Sequence, residues 1–172
     1  MREMLKFGFI LGIICIIAAG LLAGVDILTQ PKILAQAKLE EELSLKIIFP
    51  LAHHFDEVKE KGETIYYKVF DGENKFIGVA FQVSGRGYAG EVKILAGMLK
   101  DGKITAIKIL SQNETPGLGS RITSLSFIDR FKGRNDLSEV EAITGATVSS
   151  RAVIDSVKKK AEEIRSKVRN EK

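Results

Sequence analysis

Apolar and polar positions divide this chain into an uncharged N-terminal run and a longer region in which the two kinds recur at short intervals. Residues 7–25 form nineteen consecutive positions without a charge. At a rise of about 1.5 Å per residue, a helix of this length crosses a hydrocarbon layer about 30 Å thick. The alternative is a cleaved signal peptide, whose apolar stretch is normally about 7–15 residues. Because the run is longer than that, it predicts a single transmembrane helix that is retained as an anchor.

The charges on either side of the run predict its orientation. Arg2 and Lys6 precede it, and Asp26 is the first charge after it. Positive charges near a membrane helix favour the cytoplasmic side. We therefore expect a single-pass protein of the cytoplasmic membrane, with its N-terminus inside and the following domain on the periplasmic or extracellular side.

Two prolines predict how the anchor is connected to the rest of the chain. Pro31 predicts the end of the membrane helix, because proline interrupts helical hydrogen bonding. Helical spacing of apolar residues resumes over residues 32–45 and ends at Pro50, which we interpret as a stalk helix. The predicted organisation is a transmembrane anchor at 1–28, a stalk helix and linker at 29–50, and one domain at 51–172.

The first half of this domain has the pattern of a sheet. Segments rich in aromatic and β-branched residues are separated by turn signals such as Asp71-Gly72 and Asp101-Gly102. Tight turns of this kind join antiparallel neighbours, so a mostly antiparallel meander is predicted. The four predicted strands are 64–70, 75–83, 91–99 and 103–110.

Helical spacing follows the strands. Residues 135–141 lack periodicity and are interpreted as a surface connection into a buried strand end at Ile143. A short helix with Ser120 as its candidate cap is predicted from Ile122, Leu125, Ile128 and Phe131, which recur every third residue. A terminal helix is predicted from Val153, Val157, Ala161, Ile164 and Val168. The predicted fold class is α+β, with an antiparallel sheet packed by helices.

Charge and composition exclude several other classes of protein. The net charge of +4 is contained within residues 151–172, which carry eight Lys or Arg against four Asp or Glu without interleaved aromatic residues. This is the pattern of an exposed helix face, so no nucleic acid partner is expected. Cys15 is the only cysteine, which excludes an intrachain disulfide. His53 and His54 are adjacent and point apart, so they are expected in an exposed loop and no metal site is predicted.

Two stretches carry candidate chemistry. In residues 141–150, a Gly-Ala turn is followed by hydroxyl residues that open a helix, with Thr147 at the opening. Helix openings present unpaired backbone N–H groups that attract phosphate, although hydroxyl residues there are ordinarily simple caps. In residues 111–120, Pro116 lies beside two glycines, which favours a tight turn with accessible N–H groups.

Together the two stretches resemble the FMN-binding domain family of the membrane-bound Rnf and Nqr electron-transfer complexes, in particular its RnfG branch. The resemblance implies that Thr147 is joined to FMN through a phosphoester bond and that Glu141 replaces the usual Asp of the motif. The other cofactor-binding residues that it implies are Thr144, Gly145, Ala146, Val148, Ser149 and Ser150 in the first stretch, and Glu114, Thr115, Gly117, Leu118 and Gly119 in the second.

The resemblance also implies a function. The chain is expected to be a membrane-anchored flavoprotein subunit that relays electrons in an Rnf-type ion-translocating ferredoxin:NAD oxidoreductase, with Rnf subunits A, B, C, D and E as partners. It is expected to be an electron carrier without catalytic residues of its own. Because no histidine lies near Thr147 in the sequence to act as a base, a separate flavin transferase is expected to attach the FMN. The alternatives are a protein of the related NqrC type and a non-redox, membrane-tethered binding or scaffold module.

Overall fold

Helix α1 spans Arg2–Ile48 and contains the whole uncharged run. The structure, a computed structural model, describes residues 2–60 and 62–170, and within these residues α1 is the one helix long and apolar enough to cross a membrane. The predicted break at Pro31 is wrong, because Pro31 lies inside α1. A proline removes one backbone donor from a helix, and in a helix of 47 residues the remaining hydrogen bonds continue past it. The division of this region into an anchor and a stalk stays a prediction.

Contacts group the chain into two units, residues 1–43 and residues 44–172. The second unit contains five strands in the order β1-β2-β3-β4-β5, and every neighbouring pair is antiparallel. The predicted meander is thus confirmed. The strands are β1 His54–Glu60, β2 Glu63–Phe70, β3 Phe76–Arg86, β4 Glu91–Leu99 and β5 Ile104–Ser111.

Strand β1 is absent from the sequence-based prediction, and the expected loop position of His54 is wrong. The sequence of this strand is His-Phe-Asp-Glu-Val-Lys-Glu, and no residue in it is fully buried. It lies at the edge of the sheet, where charged side chains are common, so it lacks an apolar face that periodicity could reveal.

One face of the sheet packs against helix α3, Thr147–Asn170, and against the short helices that precede it. The apolar residues predicted for the terminal helix lie on this face, where all but the half-buried Val168 are fully buried. Close approach of α3 requires Gly85 in β3, because a Cβ atom there would lie 2.4 Å from the backbone oxygen of Ala152. The largest fully buried side chains of this core include Phe81, Ile94, Phe127, Phe131, Ile154 and Ile164.

The opposite face of the sheet is covered by the end of α1 and by Phe49, which follows it. Leu45, Ile48 and Phe49 are buried against Tyr67, Val69, Ala80 and Leu95. A Cβ atom at Gly97 of β4 would lie 2.2 Å from Ile48 Cγ2, so the chain comes very close to the sheet at this point. The end of α1 is therefore part of the folded domain.

The segment between β5 and α3 differs from the predicted single helix. It forms a 3₁₀ turn at Gly119–Thr123, helix α2 at Leu125–Ile128 and a second 3₁₀ turn at Asp129–Phe131. A spacing of three residues is the period of a 3₁₀ helix, which explains the pattern, although Leu125 is exposed. Ser120 lies within the first turn and does not cap it.

The predicted strand end at Ile143 is also wrong. A third 3₁₀ turn, Leu137–Glu139, replaces the expected surface connection, and Ile143 is buried in irregular chain. Its N–H donates to Ser150 Oγ at 3.1 Å, so a side chain satisfies the backbone group that a neighbouring strand was expected to bind.

The contact between Gly85 and α3 gives a test of this packing. Gly85→Ala should lower the free energy of unfolding by about 1–3 kcal/mol, because the added methyl group would overlap the backbone of Ala152. Thermal unfolding of the detergent-solubilised full chain measures the effect. Gly90→Ala is the control, since a Cβ atom there would have its nearest neighbour at 3.9 Å. Equal melting temperatures for the two variants would contradict the described packing.

Candidate functional site

The opening of α3 is shaped by a tight turn. Gly145 has a φ of +82°, a conformation that favours glycine, and the N–H of Ala146 donates to the Ile143 carbonyl at 2.9 Å. This turn ends at Thr147, the first residue of α3, which is exposed. The sequence-based prediction of a helix opening after a Gly-Ala turn is confirmed.

The side chain of Ser150 stabilises this turn through two hydrogen bonds. Its hydroxyl is buried, accepts the N–H of Ile143 and donates to the Ala146 carbonyl at 2.8 Å. Both hydrogen bonds are internal to the motif. Ser150 therefore stabilises the backbone conformation of the turn that leads into Thr147.

Two arginines bind the backbone of the same motif from outside. Arg130 Nη1 donates to the Glu141 carbonyl at 2.8 Å, and Arg121 Nη1 donates to the Thr144 carbonyl at 3.4 Å. Thr144 itself is exposed. The irregular chain before α3 is thus held by side chains instead of by a sheet.

The second stretch forms a turn as predicted, but the expectation of accessible N–H groups is wrong, because those of Gly117, Leu118 and Ser120 are bonded within the turn. Gly117 has a φ of +75°, and its N–H donates to Ser120 Oγ at 3.0 Å. The N–H groups of Leu118 and Ser120 both donate to the Thr115 carbonyl at 3.2 Å. These bonds close the loop and leave the side chain of Leu118 exposed.

The buried carboxylate of Glu114 connects the two predicted stretches to a third segment, the loop after β3. Glu114 is only 4% exposed. Its Oε2 accepts the hydroxyl of Ser149 in α3 at 2.5 Å, and its Oε1 accepts the N–H of Ala89 at 3.1 Å. Residues 87–90, the loop after β3, are thereby connected to both predicted stretches.

Two glycines make room for this carboxylate. A Cβ atom at Gly87 would lie 2.2 Å from Glu114 Oε1, and one at Gly119 would lie 2.5 Å from Glu114 Oε2. Any larger residue at either position would displace the carboxylate. The requirement for glycine here comes from close approach, since neither residue has a positive φ.

The surroundings of Glu114 favour its ionised form. Burial raises its pKa, but the hydroxyl of Ser149 and the backbone N–H groups of Ala89, Tyr88 and Gly90 together outweigh burial, so the pKa lies below its ordinary value of 4.5. Glu114 is therefore negatively charged at neutral pH.

The three loops enclose a pocket of about 540 Å³. Nine of the twelve residues predicted for the cofactor site line it, and Gly117, Thr144 and Ser150 do not. Tyr88 also lines the pocket, although it is not among the twelve predicted residues; it lies between Gly87 and Gly90 in the loop after β3. The lining residues are Tyr88, Glu114, Thr115, Leu118, Gly119, Gly145, Ala146, Thr147, Val148 and Ser149.

The pocket has an apolar rim and one charge. Tyr88, Leu118 and Val148 are 78%, 52% and 54% exposed, which is unusual for large apolar side chains. Glu114 is the one charged residue among those that line the pocket. Such a site suits a flat aromatic ring, while the opening of α3 offers N–H groups to a phosphate.

Comparison with known proteins decides the family. Residues 1–48 match the model of the RnfG N-terminal region, and residues 87–162 match the model of the FMN-binding domain. A protein of Shewanella piezotolerans, named as a subunit of the ion-translocating oxidoreductase complex, is 31% identical to this chain, over 91% of the chain and 87% of that protein. The chain belongs to the RnfG family. The resemblance inferred from the two motif stretches is confirmed.

Other relatives agree with this membership. The corresponding subunit of the proton-translocating ferredoxin:NAD(+) oxidoreductase complex of Clostridium ljungdahlii is 30% identical, over 90% of this chain and 88% of that protein. The crystal structure of a subunit of the Na(+)-translocating NADH-quinone reductase from Parabacteroides distasonis has a TM-score of 0.52 to this chain at 18% sequence identity. The matched region covers 67% of this chain and 78% of the crystallised chain. This likeness concerns the fold alone, and it confirms the predicted α+β class.

The residues of this member of the RnfG family fit the cofactor of the matched domain. All of the residues that line the pocket lie within 87–162. The ring of an FMN would be bound by the apolar rim, and its phosphate by the opening of α3 at Thr147.

The ionised state of Glu114 predicts a pH dependence of stability. Because its pKa is lower in the folded state than its ordinary value of 4.5, the stabilisation is present above pH 4.5 and is lost as the pH falls through the folded-state pKa. Glu114→Gln should be less stable by about 1–3 kcal/mol at neutral pH and should lose less on acidification. Unfolding of the full chain between pH 3 and 7 in detergent measures both effects. The control, Glu91→Gln, removes an exposed carboxylate and should keep the wild-type profile, whereas parallel profiles for Glu114→Gln and wild type would contradict the prediction.

Proposed function

We propose that this chain is the membrane-anchored flavoprotein subunit of an Rnf-type ion-translocating ferredoxin:NAD oxidoreductase, with FMN joined covalently to Thr147. The observation that carries the proposal is the place of Thr147, an exposed hydroxyl residue at the first position of α3 and on the wall of a pocket with an apolar rim. A phosphate ester at this position brings the ring of the flavin within reach of the pocket.

The charge of the pocket gives a physical reason for a covalent bond. A free FMN carries a phosphate dianion, and the residues that line the pocket include no Lys or Arg to neutralise it. The helix opening contributes only partial positive charge, worth about 0.3–1 kcal/mol at exposed sites. We infer that an ester bond would retain the FMN independently of these contacts.

Attachment requires a second protein. The hydroxyl of Thr147 needs a base to become a nucleophile, and no histidine lies near it in the sequence. A flavin transferase would supply that base and use FAD as the donor. The bond between the two phosphates of FAD breaks, a bond forms between Thr147 Oγ and the FMN phosphorus, AMP leaves, and the hydroxyl proton passes to the transferase.

The residues of this chain would position the flavin while partners supply and remove electrons. When bound, FMN would supply the transfer of one or two electrons between a reduced carrier and the next one. Tyr88, Leu118 and Val148 would hold the ring and exclude water from its face. The partners would be the other subunits of such a complex, since relatives of this chain are named as subunits of ion-translocating complexes, and we propose that they are Rnf subunits A, B, C, D and E.

The proposed location follows from the charges around the apolar run. Arg2 and Lys6 would keep the N-terminus in the cytoplasm, and residues 44–172 would then lie on the periplasmic or extracellular side of the cytoplasmic membrane. A covalent bond has a particular use there, since a lost flavin could not be replaced from the cytoplasmic pool.

Replacement of Thr147 tests the attachment. The full chain is produced together with a flavin transferase, denatured and separated by gel electrophoresis. Thr147→Ala should lose all flavin fluorescence from its band, because no acceptor oxygen remains. Thr115→Ala removes another hydroxyl of the same pocket and should keep the fluorescence of the wild type. A fluorescent Thr147→Ala band would refute the proposed attachment, and an unlabelled wild-type band would favour a scaffold module without redox function.

Thiol labelling tests the orientation. In a Cys15→Ser background, Ser126→Cys places a thiol at an exposed position of the domain, and Glu3→Cys places one before the apolar run. A membrane-impermeant maleimide should label position 126 in intact cells stripped of any outer membrane, and position 3 only after the cells are permeabilised. The reverse pattern would contradict the proposed location.

A further inference from the structure

We propose that the carboxylate of Glu114 lowers the reduction potential of the flavin bound in this pocket. The inference rests on the proposed function, because it concerns the same site. It assigns to Glu114 the role of a positioning residue that also sets the electrostatic potential felt by the ring.

The carboxylate is held as a fixed charge on the wall of the pocket. Glu114 is 4% exposed, and its two oxygens are bound by Ser149 in α3 and by Ala89 in the loop after β3. Gly87 and Gly119 confine it so closely that a single methyl group at either position would strike an oxygen. These contacts hold the carboxylate in one place on the pocket wall.

Nothing on the pocket wall cancels this charge. The groups that bind the carboxylate are a hydroxyl and backbone N–H groups, which are neutral. Glu114 forms no ion pair among the described residues, and no Lys or Arg lines the pocket. Among the residues that line the pocket, Glu114 is therefore the one whose full charge would act on a bound flavin, and that charge is negative.

A negative potential opposes reduction. Each electron that the flavin accepts from a reduced partner adds negative charge to the ring unless a proton follows it, and a buried charge nearby is screened far less than one at the surface. Glu114 exchanges neither an electron nor a proton with the flavin. Its effect is to make the oxidised ring more stable relative to the reduced ring, which lowers the potential.

Potentiometric titration of the flavinylated full chain at pH 7 tests the inference. Glu114→Gln keeps the size and an acceptor oxygen but removes the charge, so its midpoint potential should be higher than that of the wild type. At a fixed solution potential, the ratio of reduced to oxidised flavin should rise at least about tenfold. One charge about 12 Å from the added electron gives about that factor at an effective dielectric constant near 20, and a shorter distance gives a larger one. Flavin content is measured on the same samples by fluorescence after denaturation.

Two further variants separate charge from structure. Asp155→Asn removes an exposed carboxylate from α3 and should leave the midpoint potential at the wild-type value. Ser149→Ala removes one hydrogen bond from Glu114 but keeps its charge, so it should shift the potential much less than Glu114→Gln. An unchanged potential in Glu114→Gln would overturn the inference, as would an equal shift in Ser149→Ala.

If Glu114→Gln does not fold, a measurement on the wild-type chain tests the inference instead. Redox-difference infrared spectroscopy is recorded on flavinylated chain with ¹³C-labelled glutamate. Because Glu114 is the one carboxylate on the pocket wall, reduction of the flavin should shift a labelled carboxylate band. The absence of such a band would overturn the inference. These outcomes are distinct from failure of the proposed function, in which the wild-type chain would carry no covalent flavin at all.

Discussion

The structure of the site depends on one buried carboxylate. Burial of a charge without a partner is costly, so the ionised Glu114 constrains every segment that binds it. It accepts hydrogen bonds from Ser149, 35 positions later in the chain, and from Ala89, 25 positions earlier. Gly87 and Gly119 are explained by the same contact, because each lies where a larger residue would displace an oxygen. The opening of α3 and two loops are in this way fixed as one unit.

This constraint also gives the pocket its chemical character. The group that joins the loops is the one charge on the wall, and neutral donors satisfy it, so the site is negative and apolar at the same time. Such a site suits an aromatic ring, and a phosphate would depend on the N–H groups at the opening of α3. The proposed covalent ester at Thr147 would remove one negative charge from the phosphate and make retention independent of ionic contacts. The proposed attachment and the proposed control of potential thus both rest on the same arrangement.

Much of this fold could be predicted from the sequence, and the failures have physical causes. Strands β2 to β5 are rich in aromatic and β-branched residues and are separated by turn signals, whereas β1 has no fully buried residue and gave no signal. Pro31 did not end α1, because a long helix continues past the loss of one donor. The two loops of the site were found through their resemblance to a family. Their connection through Glu114 could not be predicted, because the hydrogen bonds that make it join residues far apart in sequence. Tyr88 enters the pocket wall through that same connection.

The central claim is that Thr147 carries FMN in a pocket assembled around Glu114. A structure of the full chain after maturation by a flavin transferase tests it most directly. The account predicts continuous density from Thr147 Oγ to the FMN phosphate, a ring against Tyr88 and Leu118, and a carboxylate of Glu114 still bound to Ser149. Flavin density on another residue, a ring outside the pocket, or a Glu114 side chain turned to solvent would contradict it.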